Sequence, residues 1–405
     1  MLIHIAAVAV TLAIQARANA TPSIAAAQRF VSVVWGATSK EGATDVYAAV
    51  SRDGGRSFAR AVRVNDGDGN ASLGVEQPPR VSLVLRASGD PLMVVVWTAK
   101  SKDGTRLLVS RSENGGVSFS PAAPIHGSEA PGNRGWESTT VDGNGRVFAL
   151  WLDHREMAAG SASEMHHEGH DHAAAGAPKA DGAAHAQLSK LYVARLDDAA
   201  SARALTGGVC YCCKTAIASG PGGALYAAWR HVYPGNIRDI AFTMSRDGGR
   251  TFAAPVRVSE DRWVLDGCPE NGPALAVGTN NAVHVLWLTL VSGKTPDAEP
   301  TLALFYAATR DGRSFSPRRR VATDGVPRHA QLIATARGLV AAWDEETPGG
   351  GRRVVLDRDV NGTAREILSN ARAQTPAIAD VGDGVAIAWA EGSVSSVIRV
   401  ERTAF

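Results

Sequence analysis

Ser245-Arg246-Asp247-Gly248-Gly249-Arg250-Thr251-Phe252 is one of four near-copies of a single turn. Ser51-Arg52-Asp53-Gly54-Gly55-Arg56-Ser57-Phe58 repeats it almost letter for letter. Ser112-Glu113-Asn114-Gly115-Gly116-Val117-Ser118-Phe119 replaces Asp by Asn, and Thr309-Arg310-Asp311-Gly312-Arg313-Ser314-Phe315 lacks one glycine. The residue types suit a tight β-turn, in which Asp or Asn bonds the turn's own backbone and glycine supplies a positive φ. The hydroxyl residues tie down turn amides, and the phenylalanine is placed to bury between neighbouring sheets.

A second repeat runs through the chain. Seven apolar segments end in tryptophan: Val31–Trp35, Val94–Trp97, Val147–Trp151, Leu225–Trp229, Val283–Trp287, Leu339–Trp343 and Val385–Trp389. Successive tryptophans lie 46 to 78 residues apart. A shorter apolar piece precedes each, and a third strand such as Asp45–Ser51 or Ile240–Ser245 follows most of them, often leading into the repeated turn. Period-two alternation with Gly/Asp turns predicts strands throughout. Repetition at this period predicts an array of small sheets.

The repeated turn resembles the Asp-box, or BNR repeat, of sialidases and related β-propellers. That resemblance implies an all-β propeller of four-stranded blades over residues 21–405, with the Asp boxes as structural turns away from the active site. Seven tryptophan units predict seven blades, and six, the number in sialidases, is the alternative. The last unit, Thr375 to Phe405, lacks a fourth strand, which the N-terminal segment is placed to supply.

The 405 residues are 45% hydrophobic and 20% charged with 42 glycines, a globular and turn-rich composition. A net charge of +2 gives no reason to expect nucleic acid as a partner, and no later apolar run is long enough to span a membrane. Leu2–Ile14 followed by Ala18-Asn19-Ala20 reads as a signal peptide over residues 1–20, hence a periplasmic or secreted protein. Export predicts disulfides among Cys210, Cys212, Cys213 and Cys268.

Up-and-down blades put everything just before a first strand, or just after a second, on one face. The repeated turns fall on the other. On the first face lie Glu76 and Arg80, Trp136 and Glu137, Asp153, His154 and Arg155, Arg230 and His231, Arg238 and Asp239, Glu270 and Asn271, and Arg328 and His329. The cysteines join them, because Cys210-Tyr211-Cys212-Cys213 precedes the fourth blade and Cys268 the fifth. So does an insertion at 157–187, whose Met165, His166, His167, His170 and His172 suit copper or zinc.

The cysteines carry two readings. At least one disulfide is expected, linking the fourth and fifth blades through Cys268, and strand alternation would put Cys213 opposite Cys210 and Cys212. The remaining thiols are candidate copper ligands. Sialidases use three arginines, an aspartate acid/base and a tyrosine nucleophile. This chain departs from that pattern. Gln77-Pro78-Pro79-Arg80-Val81 only loosely echoes the family's Phe/Tyr-Arg-Ile-Pro motif, and no tyrosine follows Tyr306. The expected function is therefore a binding protein for a small-molecule, glycan or metal ligand, most simply copper. Arg80, His154, Arg155, Arg230, His231, Arg238, Asp239, Arg328 and His329 are its candidate ligand residues. The alternatives are a divergent glycoside hydrolase, with Glu137, Asp153, Asp239 or Glu270 as acid/base, and a disulfide-held interaction scaffold.

Overall fold

The computed structural model describes residues 9–67, 69–160, 182–292, 299–369, 372–393 and 395–405. Seven four-stranded antiparallel sheets form a ring. Their first strands are Ala18–Ala27, Arg80–Val84, Arg134–Val141, Ala216–Ser219, Ala274–Val277, Val326–Thr335 and Ala373–Asp380. Each touches the next all the way round, so these strands line the axis. We number the blades 1 to 7 by these strands and letter the strands of each blade A to D outward. The six-blade alternative falls, because every tryptophan unit makes its own sheet.

The core explains why the B strands are the most apolar. Both faces of a B strand are covered, and every residue of Val147–Asp153 is buried. Seven apolar clusters fill the seven junctions between adjacent blades, each holding one tryptophan. Trp97, for example, packs with Val34 and Val46 of blade 1, and Trp389 with Val340 and Leu356 of blade 6. All seven tryptophans are no more than 2% exposed.

The repeated turns form as their residue types predict. In blade 4 the Gly249 amide donates to Ser245 Oγ at 2.9 Å, and Thr251 binds Asp247 through both its amide and its hydroxyl, at 2.9 and 2.6 Å. Gly248 and Gly249 take φ of +71° and +81°, a region closed to most other residues. Phe315 meets Phe242 of the neighbouring blade edge-on at 5.2 Å. Blade 6 has a fifth, disguised turn: Gly362 donates to Asp357 at 2.8 Å, and Thr363 bonds Asp359. Asp357 stands where the other turns have Ser or Thr, so the letter pattern hides it.

Ring closure uses the N-terminal segment. Val10–Leu12 pairs with Val397–Ala404 and is strand D of blade 7. Ala18–Ala27 is strand A of blade 1, and Asn19 is buried, accepting the Trp35 indole N–H at 2.9 Å and donating to the Ser396 carbonyl at 2.9 Å. Val10–Leu12 and Asn19 fall within residues 1–20, so the contacts that close the ring involve that segment. Leu12→Ala should therefore cost about 2–3 kcal/mol in urea unfolding. The same change at Leu85, which is 67% exposed, should cost under about 0.5 kcal/mol. Equal effects would mean that the N-terminal strand does not close the ring.

Candidate functional site

The cysteines converge at the junction of blades 4 and 5. Cys212 is disulfide-bonded to Cys268, with Cα atoms 6.1 Å apart, and Cys210 and Cys213 are buried free thiols. Cys210 Sγ lies 3.9 Å from Cys212 Sγ and 3.7 Å from Cys213 Sγ. Alternation does not operate here. The chain turns at Tyr211–Cys213 before strand A begins, so all three sulfurs face one point instead of splitting across a strand. Ala186, Val232 and Trp136 pack around them. A short helix at the end of the insertion, α2 (Gly182–Leu188), supplies Ala186; α1 (Arg155–Gly160) begins the same insertion and touches α2. Met165, His166, His167, His170 and His172 lie outside the described residues.

Two arginines of blade 4 build the wall behind the sulfurs. Arg238 donates from Nη1 to Cys210 Sγ at 3.1 Å, from Nε to the Leu265 carbonyl at 2.7 Å and from Nη2 to Asn236 at 3.2 Å. Arg230, 1% exposed, donates to the carbonyls of Asn271, Arg238 and Leu288 and lies over the Trp263 ring. Burial alone would push the Cys210 thiol up, but the Cys213 hydrogen bond and the Arg238 and Arg230 charges bring it down to about 6. Cys213, buried and beside that sulfur, is pushed up. Asp239 accepts the Arg262 and Trp263 amides at 3.2 and 3.4 Å, which fixes the loop leading to Cys268.

Several polar residues of this face serve the fold. Asp153, Glu345, Glu391 and His231 each accept the indole N–H of the tryptophan two residues earlier. Asp153 is also gripped by Arg134 and by both ends of Arg155, at 3.1 and 2.7 Å. His231 is held neutral, its pKa lowered to about 4 by burial and then by Arg257. His154 is buried, its ring 5.2 Å from Trp136. Glu270 is exposed, Arg328 is half-buried, and His329 is buried with Nδ1 at 2.7 Å from Asp344 Oδ1.

Across the axis lies a tie that sequence reading did not assign. Glu76, from the loop entering blade 2, accepts the amides of Lys214 in blade 4 at 3.0 Å and of Gly272 before blade 5 at 2.6 Å. Lys214 Nζ reaches on to the Ala330 carbonyl of blade 6 at 2.7 Å. Burial lowers the Lys214 ammonium to about 8 against the pull of Glu76. Lys214 also lines an axial cavity of about 200 Å³, with Arg80, Ser138, Thr215 and Gln331. Arg80 Nε donates to the Glu137 carbonyl at 2.7 Å. Lys214 had a signal, its place directly after the cysteines, as did Asp344 directly after Trp343. Nothing local announced their partners.

Glu137 is fully buried, accepts from Thr98 at 3.0 Å, and is raised to about 7, chiefly by burial. A carboxyl raised in the fold holds its proton more tightly folded than unfolded. The stability it supports at acid pH is therefore lost as pH rises from the usual 4.5 to about 7. Glu137→Gln should flatten that part of the stability curve in urea melts. An unchanged slope would mean that Glu137 does not titrate there.

No protein-family model matches the chain, and no curated protein matches it. Solved structures do. A GH93 α-L-arabinofuranosidase of Fusarium graminearum, in complex with arabinobiose, matches at TM-score 0.54 and 10% identity, over 98% of this chain and 97% of that one. A polysaccharide lyase of family PL25, an ulvan lyase, matches at TM-score 0.54 and 8% identity, over 97% and 94%. A Hadza microbial sialidase matches at TM-score 0.48 and 15% identity, over 89% and 73%. At these identities the first two likenesses show a shared fold alone. No helix among the described residues is long and apolar enough to cross a membrane.

Proposed function

We propose that this propeller binds copper(I) through the thiols of Cys210 and Cys213, with Cys212 joining them when its disulfide to Cys268 is reduced. One observation carries the reading: three sulfurs of a four-residue segment lie within 4.8 Å of one another in a buried pocket. Thiolates select soft ions, and a buried set of two or three sulfurs suits copper(I) better than zinc, which takes four ligands. The Arg238 and Arg230 guanidiniums offset the negative charge that two thiolates would bring into a low-dielectric wall. A structural disulfide suits an oxidising compartment, which supports a periplasmic or secreted location.

The test is competition for copper(I) against a chromogenic cuprous chelator under anaerobic conditions. The wild-type chain should withdraw the ion and gain thiolate-to-copper absorbance in the near ultraviolet. Cys210→Ser and Cys213→Ser should each lose both signals. Wild-type affinity surviving in the two serine variants would overturn the reading.

A second reading concerns the axial cavity. Arg80 lines it beside the hydroxyls of Ser138 and Thr215, and a guanidinium fork matches a carboxylate. Matching propellers are complexed with arabinobiose and with a glucuronate–sulfated rhamnose unit, which supports a glycan, preferably an acidic one, as ligand there. Of the four carboxylates weighed for hydrolysis, Asp153 and Asp239 are buried under their partners and Glu137 is sealed in the wall, while Glu270 is exposed. Titration calorimetry with glucuronate oligosaccharides should show binding that Arg80→Ala removes. Binding unaffected by that change would place the glycan elsewhere.

A further inference from the structure

Beyond metal binding, the cysteine cluster contains the parts of a chemical relay. Cys210 Sγ approaches the bonded sulfur of Cys212 at 3.9 Å, and Cys213 Sγ approaches Cys210 at 3.7 Å. The four sulfurs thus form a chain, Cys213 to Cys210 to Cys212 to Cys268. Its outer end is half-buried Cys268, and the other three are buried. Arg238 Nη1 donates to Cys210 Sγ from 3.1 Å and so fixes that sulfur beside the Cys212–Cys268 bond.

We infer that the cluster is an internal thiol–disulfide exchange centre, in which Cys210 attacks Cys212 and moves the disulfide inward from the Cys212–Cys268 pair. In the first step the Cys210 thiolate forms a bond to Cys212 Sγ while the Cys212–Cys268 bond breaks. The bonding pair leaves on Cys268, which takes up the proton that Cys210 gave up. In the second step the Cys213 thiolate attacks Cys210 Sγ and releases Cys212 as the thiolate, again with one proton passed to the leaving sulfur. One disulfide and two thiols are present throughout, so no outside oxidant or reductant is consumed. The released Cys268 thiol is the sulfur nearest solvent, where a dithiol reductant or a disulfide substrate would exchange with it. The relay uses the sulfurs of the proposed copper site and needs no metal.

The experiment takes the purified full-length chain, freed of copper by a cuprous chelator, and exposes it folded to N-ethylmaleimide. Peptides are then mapped by mass spectrometry without reduction. The expected result is label on Cys268, with a Cys210–Cys212 or Cys210–Cys213 disulfide in place of the Cys212–Cys268 one. Cys210→Ser should abolish labelling of Cys268, and Arg238→Gln should slow it severalfold with circular dichroism unchanged. An intact Cys212–Cys268 disulfide with unlabelled Cys268 after prolonged exposure overturns the inference, as does Cys268 labelling that persists in Cys210→Ser. The wild-type arm decides by itself if a variant fails to fold. Because the protein is metal-free, failure here leaves the copper titration standing, and the reverse also holds.

Discussion

Every junction between blades is filled by one tryptophan that is apolar over most of its surface and polar at one atom. The ring buries the apolar part; the indole N–H still needs an acceptor, since an unpaired buried donor costs about 1–3 kcal/mol. Blades 3, 4, 6 and 7 answer this locally, with an acceptor two residues further along the same strand. Blade 1 borrows Asn19, and blade 5 borrows Asp261 at 2.6 Å. The Trp97 indole N–H of blade 2 has no partner among the described residues. In blades 3, 4, 6 and 7 a conspicuous polar residue two places past the tryptophan is thus required by packing before any ligand is considered.

That requirement explains which parts of the sequence were legible. The tryptophan spacing repeats once per blade and the Ser-x-Asp-x-Gly-x-Thr/Ser turn recurs in four of the seven, so these local patterns disclosed the architecture, the blade count and the N-terminal completion of blade 7. The same regularity says less about Asp153, Arg155 and His231. They lie on the same face as the cysteines, and they are engaged by the indoles and by one another. A face can be read from topology. Whether a side chain on it is spoken for depends on partners that topology does not name.

Glu76 and Lys214 show the complementary limit. Glu76 finds its donors two and three blades away round the ring, and Lys214 finds its acceptor two blades further on. No periodicity links residues 76, 214, 272 and 330, so only the closed ring brings them together. The tie matters for the site because Lys214 follows Cys213 directly, and Gly272 lies just beyond Cys268. One carboxylate on the far side of the axis thereby fixes the two chain segments that carry all four sulfurs.

The cysteine cluster in turn depends on a register. Arg238 and Asp239 are successive residues of the blade 4 strand Ile237–Ser245, paired with Val232 and His231. Successive residues of a strand point to opposite faces. Arg238 faces the sulfurs with Nε and Nη2 already held by the Leu265 carbonyl and Asn236, so its charge is fixed in place before any thiolate forms. Asp239 faces the other way and pins the Arg262 and Trp263 amides, which returns the chain toward Cys268. A slip of one residue would exchange the two, placing a carboxylate against Cys210 and a guanidinium against two amide donors. Both contacts would then be repulsive. The nine-residue pairing of Leu225–Tyr233 with Ile237–Ser245 excludes that slip, and so it holds a cation, not an anion, beside the sulfur chemistry.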